Sequence, residues 1–302
     1  MLDEIRAAAA RIAASARFVR IDQAALPTYA ASLPLEAARK PQLDPTTHYL
    51  GEADATLAYV VMLDAINFGS GYFPWLRKRP GRSGYFTVAT SLKERFEQHG
   101  PLSAQELCRL RAGDCARIFG QRLDGPAGEL MGLFAQALND LGELVQRRYA
   151  GSFRRLVKAA GGSAERLVGE TLVEMPFYRD VPFYKRAQLT AADLATAGVA
   201  HFRDLDRLTI FADNLVPHVL RLDGVLVYDP GLVARIEREE LIPSGSAEEL
   251  EIRAGALHAV ELLVGHLDER VTPMQLDYLL WNRGQGARYK AVPRHRTRSV
   301  FY

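Results

Sequence analysis

Pro126-Ala-Gly-Glu-Leu130-Met-Gly-Leu133-Phe134-Ala-Gln-Ala137-Leu138-Asn-Asp-Leu141-Gly-Glu-Leu144 places apolar side chains three and four residues apart, behind a proline. That spacing lines Leu130, Leu133, Phe134, Ala137, Leu138, Leu141 and Leu144 along one face of an α-helix. A proline suits the first helical turn, where its missing N–H forfeits no bond. Similar signals recur on both sides. Ala8, Ile12 and Ala16 share a face of an opening helix, whose Asp3 and Glu4 favour the positive end of the helix dipole. Ala53 to Asn67 reads as a core helix ended by Gly69-Ser-Gly71, and Thr87 to His99 as another, stopped by Gly100-Pro101. Ser103-Ala-Gln-Glu106 is a capping box. Ser246-Ala-Glu-Glu249 opens a helix reaching about Leu267, and Thr272-Pro-Met-Gln275 opens one carrying Leu276, Leu279 and Leu280. Strand candidates are few, Phe18-Val-Arg-Ile21 and Val225-Leu-Val-Tyr228. Residues 24–47, with Pro27, Pro34, Pro41 and Pro45, read as an irregular arm lying on the rest. The fold class is therefore mostly α with a few short strands. We expect a single domain over residues 1–302, one helical body able to divide into two lobes, with residues 1–47 as an N-terminal helix and arm packed on it.

Composition narrows the function classes. Of 302 residues, 48% are hydrophobic and 25% charged, a globular balance that a disordered chain would not show. The 38 basic and 36 acidic residues leave a net charge of +2, too small for bulk attraction to nucleic acid or membrane. The longest apolar stretch, Leu57 to Phe68, is broken by Asp64 and Asn67 and is too short to span a bilayer. Asp3 and Glu4 speak against a transit peptide, since such peptides are poor in acids. Cys108 and Cys115 make no disulfide framework and read as reduced thiols. A cytoplasmic protein is the expectation.

Most standard catalytic signatures are missing. No phosphate-binding Gly-x-x-x-x-Gly-Lys and no Gly-x-Ser-x-Gly elbow is present, and Gly69-Ser-Gly71-Tyr-Phe-Pro74 has proline where a dinucleotide fingerprint needs its third glycine. None of the seven histidines forms His-Glu-x-x-His, and His258 and His266 have no evident third ligand. We expect no metal and no cofactor. What remains is charge inside apolar sequence: Asp64 after Val60-Val-Met-Leu63, Asp213 after Leu208-Thr-Ile-Phe-Ala212, Asp277 in Leu276-Asp-Tyr-Leu-Leu-Trp281 and Lys185 in Pro182-Phe-Tyr-Lys-Arg-Ala-Gln188. A buried ion must be paired, neutralised or used. Asp213, ahead of a new helix, is equally an N-cap or a working carboxylate. Glu251 and Arg253, two apart and so on different helix faces, each look toward another element. Spacing alone fits a hydrolytic pocket and structural salt bridges alike.

Several of these segments, in order, resemble one family. Phe183-Tyr-Lys-Arg-Ala-Gln188, Leu208-Thr-Ile-Phe-Ala-Asp213 with Val216-Pro217, Glu249-Leu-Glu251-Ile-Arg253-Ala254 and Leu276-Asp-Tyr-Leu-Leu-Trp281 are similar to queuosine-salvage proteins. His48, Val60-Val-Met-Leu-Asp-Ala-Ile-Asn67-Phe68, Gly84-Tyr-Phe86 and the closing His295-Arg-Thr-Arg298 and Phe301-Tyr302 extend the likeness from about His48 to the last residue. The chain departs from the pattern at Asn214, where the family has an aromatic, and at Gly69-Ser-Gly-Tyr-Phe73, which separates Asn-Phe from the next aromatic pair.

The resemblance implies a mostly helical fold related to helix-hairpin-helix DNA glycosylases. It also implies hydrolysis of the N-glycosidic bond of queuosine 5′-monophosphate, giving queuine and ribose 5-phosphate. On that footing Asp213 is the catalytic carboxylate and Lys185 its partner. Breaking a ribosyl C–N bond builds positive charge on the sugar, which a fixed carboxylate stabilises while orienting water. Queuine is a 7-deazaguanine, so the ring position that purine glycosylases often protonate is carbon, and the leaving base needs hydrogen bonds along its remaining edge. Its amine-linked cyclopentenediol calls for an acidic partner, Asp277 or Asp64, with Asp277 favoured for its neighbours Tyr278 and Trp281. Phe68 and Tyr72 offer stacking faces, and His48 a hydrogen bond to base or diol. Asn67, Tyr278 and Trp281 complete the expected substrate contacts, with Lys185 for the 5′-phosphate and Arg186 or the Arg77, Lys78, Arg79, Arg82 run as weaker choices. We expect a monomer acting on this small molecule, without membrane or nucleic acid. The competing reading is a nucleic-acid-binding module or polynucleotide glycosylase, supported by the basic tail of Arg283, Arg288, Lys290, Arg294, Arg296 and Arg298. The plainer reading of that tail is a docked or solvated strap.

Overall fold

The structure is a computed structural model that describes residues 1–38, 41–267 and 271–302. Among the described residues there are sixteen α-helices and one two-stranded sheet, so the protein is mostly α. Val19–Ile21 and Leu226–Tyr228 pair antiparallel, with Val19 opposite Tyr228 and Ile21 opposite Leu226. No helix among the described residues is long and apolar enough to cross a membrane.

Local chemistry sets most helix ends where the sequence puts them. Gly125–Tyr149 starts with Pro126 in its first turn and ends at Ala150, in the left-handed region at φ 51°. It buries Leu130, Phe134, Ala137, Leu138, Leu141 and Leu144, with Leu133 half-buried at the margin of the stripe. Ser103 and Glu106 form the expected capping box, as do Thr272 and Gln275. Three details depart from the sequence reading. The Leu2–Ala14 helix buries Leu2, Ile5 and Ala9, while Ala8 and Ile12 are only half-buried and Ala16 lies beyond its end. The hydroxyl of Ser83 accepts the Phe86 amide, so that helix runs Gly84–His99 and begins a turn earlier than Thr87. The arm is partly helical, Leu26–Ser32 and Leu35–Ala38, because Pro27 sits in a first turn rather than breaking one; its residues 39 and 40 lie outside the described residues.

The chain groups into two compact units. The first comprises Met1–Pro41, Val181–Lys185 and Asp206–Arg298. Its centre is the Ala247–His266 helix, which packs against Leu2–Ala14, Leu26–Ser32, Val19–Ile21, Val216–Leu222 and Pro273–Arg283. Surrounded in this way, the helix buries Ile252, Ala254, Ala256, Leu257, Val260 and Leu263 and also Glu249, Glu251 and Arg253. Gly255 lets the strand approach, for a Cβ there would meet Val19 Cγ1 at 3.1 Å. Glu251 accepts the amides of Arg17, Phe18 and Val19 at 3.0, 2.6 and 3.1 Å, fixing the chain as it enters the sheet.

The second unit comprises Gln42–Asp180, Arg186–Leu205 and Ser299–Tyr302. Its inner helix is Ala53–Ala65, capped by Glu52 and buried at every position from Ala55 to Ala65. Gly84–His99, Gly125–Tyr149 and Phe153–Ala159 pack against it.

Candidate active site

Asp213 follows five residues, Leu208 to Ala212, that are all buried in the first unit. A segment with no helical or strand ladder needs other partners for its backbone groups, and side chains supply them. Asp277 Oδ1 accepts the Phe211 amide at 2.9 Å. Arg253 Nε donates to the Ala212 carbonyl at 2.8 Å. Asp213 Oδ1 then accepts the amides of Leu215 at 2.7 Å and Val216 at 3.2 Å, holding the turn that leads into the Val216–Leu222 helix. Of the two roles that the sequence left open for Asp213, N-cap or working carboxylate, the first falls to Leu215, and Asp213 Oδ1 instead holds the turn just before the helix.

The surroundings of Asp213 are cationic through arginine. Burial lowers the pKa of Arg294, and the charge of Asp213 opposes that shift. His218 and His295 are nearly inaccessible, at 2% exposure each. Desolvation lowers His218 to about 4 and His295 to about 3, with Arg294 adding to the effect in both. Both rings are therefore neutral near pH 7. His218 Nε2 lies 2.9 Å from the Tyr289 carbonyl, which fixes the proton of the neutral ring on Nε2.

Lys185 opens the Lys185–Thr196 helix and is buried at 6% exposure. The residue before it, Tyr184, has φ 49°, a left-handed backbone that costs a bulky side chain strain. Phe183 is fully buried beneath the Arg253 guanidinium, whose carbon sits 4.2 Å from the ring centroid. Arg253 also pairs with Glu249 one helical turn earlier, at 3.2 Å, with both side chains 2% exposed. One buried arginine thus touches the segments that carry Lys185 and Asp213. Sequence reasoning separated Arg253 from Glu251 correctly but missed the Glu249 pair. A glutamate four residues before an arginine is ordinarily a solvated helix-surface pair, and only the burial of Ile252 and Ala254 around it distinguishes this one.

Of the other candidates in this unit, Asp277 is committed through Oδ1 to the Phe211 amide. Tyr278 and Trp281 are half-buried on the same Pro273–Arg283 helix. The basic tail is a docked strap. Ile242 donates to the Arg296 carbonyl at 2.8 Å, Arg221 to that of Pro293 and Asn214 to that of His295, while Thr297 is fully buried.

The remaining candidates belong to the second unit. His48 is buried, and desolvation lowers its pKa. Its Nε2 lies 2.9 Å from the Tyr85 hydroxyl, and its Nδ1 3.0 Å from Thr47 Oγ1. Asp64 is completely buried and accepts from Asn67 Nδ2 at 3.4 Å. Phe68 meets Phe134 and Phe177 edge-on, and the Arg186 guanidinium lies over its face at 4.7 Å. Arg186 is held between Phe68 and Tyr178 and donates to the carbonyls of Asp64, Ala65 and Phe177. Its donors secure the C-terminal end of the Ala53–Ala65 helix, and burial lowers its pKa to about 10. The Tyr72 hydroxyl donates to Glu129 at 2.7 Å.

Fold and site define a mostly helical protein with a carboxylate, Asp213, whose two preceding residues are held through their backbone by a buried aspartate and a buried arginine. The chain belongs to the queuosine salvage protein family, whose sequence model matches residues 47–302. It is 36% identical to a Sphaerobacter thermophilus protein named queuosine 5′-phosphate N-glycosylase/hydrolase, over 97% of this chain and 95% of that one. A mouse protein of the same name is 28% identical over 89% of this chain and 90% of its own. One from Dictyostelium discoideum is 29% identical over 82% and 79%.

Proposed function

We propose that this protein hydrolyses the N-glycosidic bond of queuosine 5′-monophosphate, releasing queuine and ribose 5-phosphate for queuine salvage. The observation that carries the reading is the near full-length likeness to relatives named for that activity. The anchored carboxylate of Asp213 supports it.

In this mechanism water bonds to the anomeric carbon as the C–N electron pair leaves with the base. Asp213 stabilises the positive charge that builds on the sugar and takes the proton of the attacking water. Its fixed geometry matters, because a dipole already aimed at the transition state needs no reorganisation when charge develops. Lys185 holds the 5′-phosphate, whose binding energy, remote from the bond broken, keeps the sugar in reactive geometry. Tyr278 and Trp281 contact the base. Asp277 serves the reaction by holding the Phe211 amide, two residues before the catalytic carboxylate. The enzyme works as a monomer and in the cytoplasm. Free Cys108 and Cys115 fit a reducing compartment.

Incubation of the purified protein with queuosine 5′-monophosphate, followed by mass spectrometry, tests the proposal. Free queuine is the expected product. An unchanged nucleotide after prolonged incubation overturns it.

A further inference from the structure

We infer that Arg253 is the positioning residue of the active site, a single buried cation that sets the Asp213 segment and the Lys185 segment in register. The inference rests on the proposed function for its kinetic test and on geometry for its structural one. Ala212, whose carbonyl receives Arg253 Nε at 2.8 Å, immediately precedes Asp213. Phe183, whose ring lies 4.2 Å beneath the same guanidinium, precedes Lys185 by two residues. Glu249 accepts from Nη1 at 3.2 Å, and its other oxygen accepts the Gly245 amide at 3.1 Å. The anchor is therefore tied to the start of the Ala247–His266 helix, the central element of this unit.

Guanidinium is suited to this position by its shape. It is planar, so it can stack on Phe183 while its edge donors reach Glu249 and Ala212. An ammonium supplies charge to Glu249 but neither the flat face nor the fixed fork. Tyr184, at φ 49°, stands between the stacked ring and Lys185. Strain of that kind persists only where the surroundings enforce it, and Phe183 clamped under Arg253 is such an enforcement. His295, whose pKa falls to about 3 by burial and by the charges of Arg253, Arg294 and Arg221, is neutral near pH 7, so positive charge in this cluster is carried by arginine.

Three variants test the inference. Arg253→Lys keeps the charge, Phe183→Leu removes the stack together with a little buried volume, and Arg253→Met combined with Glu249→Gln removes the ion pair without stranding a buried charge. In whichever of these keep a cooperative thermal transition, kcat falls by about tenfold or more, since misplaced reacting groups cost turnover, and KM for the nucleotide rises as the Lys185 segment that holds its phosphate shifts. Arg253→Lys lies between wild type and the double variant. Amide hydrogen exchange provides the second readout, independent of substrate. Peptides covering residues 211–216 and 183–188 both exchange faster in the folded variants, although the two segments are far apart in sequence. Faster exchange in only one segment, or in neither, overturns the inference even if the wild-type enzyme acts on a different nucleotide. So does a kcat within about twofold of wild type in all three folded variants.

Discussion

The carboxylate of Asp277 accepts the backbone amide of Phe211 at 2.9 Å across 66 residues of sequence. Asp277 reads in the sequence as an acid for a substrate amine; in the structure one of its oxygens braces the segment that precedes Asp213. Removing the acceptor leaves a buried N–H without a partner, which costs about 1–3 kcal/mol. Asp277→Ala is therefore expected to lower the melting temperature and to reduce kcat. Asp277→Asn keeps an acceptor oxygen in the same place and should restore most of both. Thermal denaturation and steady-state kinetics on the pair check this. A fully stable Asp277→Ala enzyme with an unchanged kcat refutes the positioning role.

Asp213 combines a turn-holding acceptor and a proposed catalytic group on one side chain, and the two can be separated. An asparagine carbonyl oxygen can accept the same two amides, whereas alanine leaves them without that acceptor, at about 1 kcal/mol. Asp213→Asn should keep the Leu215 and Val216 bonds and melt near wild type, yet lose about 10²–10⁴-fold in turnover, roughly 3–5 kcal/mol of barrier. Asp213→Ala should lose a similar factor and some stability as well. If Asp213→Asn releases queuine at nearly the wild-type rate, the carboxylate charge takes no part in the reaction.

The legible parts of this molecule were those governed by local rules. Helical spacing from Leu130 to Leu144 and the capping boxes at Ser103 and Thr272 each depend on a few neighbouring residues, and the structure follows them. Pro27 misled because proline both breaks helices and begins them, and only the packing of Leu26, Tyr29 and Ala30 selects the second role. The anchors of the Asp213 loop were illegible for a different reason. Asp277 to Phe211 and Arg253 to Ala212 are bonds from side chains to backbone, and a backbone acceptor or donor carries no residue-type signal. Asp213, Lys185 and Asp277 could be singled out as charges in apolar sequence, but which of them binds, cuts or braces depends on those distant contacts.

Lys185 is assigned to the 5′-phosphate, so its removal should act on nucleotide far more than on nucleoside. A charge-assisted hydrogen bond of this kind contributes about 1.5–3 kcal/mol. Lys185→Ala is expected to lose kcat/KM by about 10–100-fold on queuosine 5′-monophosphate, with much less effect on queuosine itself. Comparing the two substrates in wild type and variant measures the difference. Equal losses on both would assign Lys185 to the sugar or base, and no loss on either would make it structural.

Protonation of the buried imidazoles should make the first unit sensitive to mild acid. His218 is held neutral, with its pKa lowered from 6.5 to about 4 by desolvation. Between those values the unfolded chain binds a proton that the folded chain excludes, so stability rises with pH there and is lost as pH falls from about 6.5 toward 4. For His218 alone the loss between pH 7 and pH 5 is about 2 kcal/mol, and His295, shifted in the same direction, adds to it. Urea denaturation at the two pH values should show that decline. His218→Gln keeps an N–H donor for the Tyr289 carbonyl and has no proton to gain, so its stability should fall less steeply over the same interval. An identical slope in variant and wild type would mean that the ring is already solvated and charged in the folded protein, contrary to its 2% exposure.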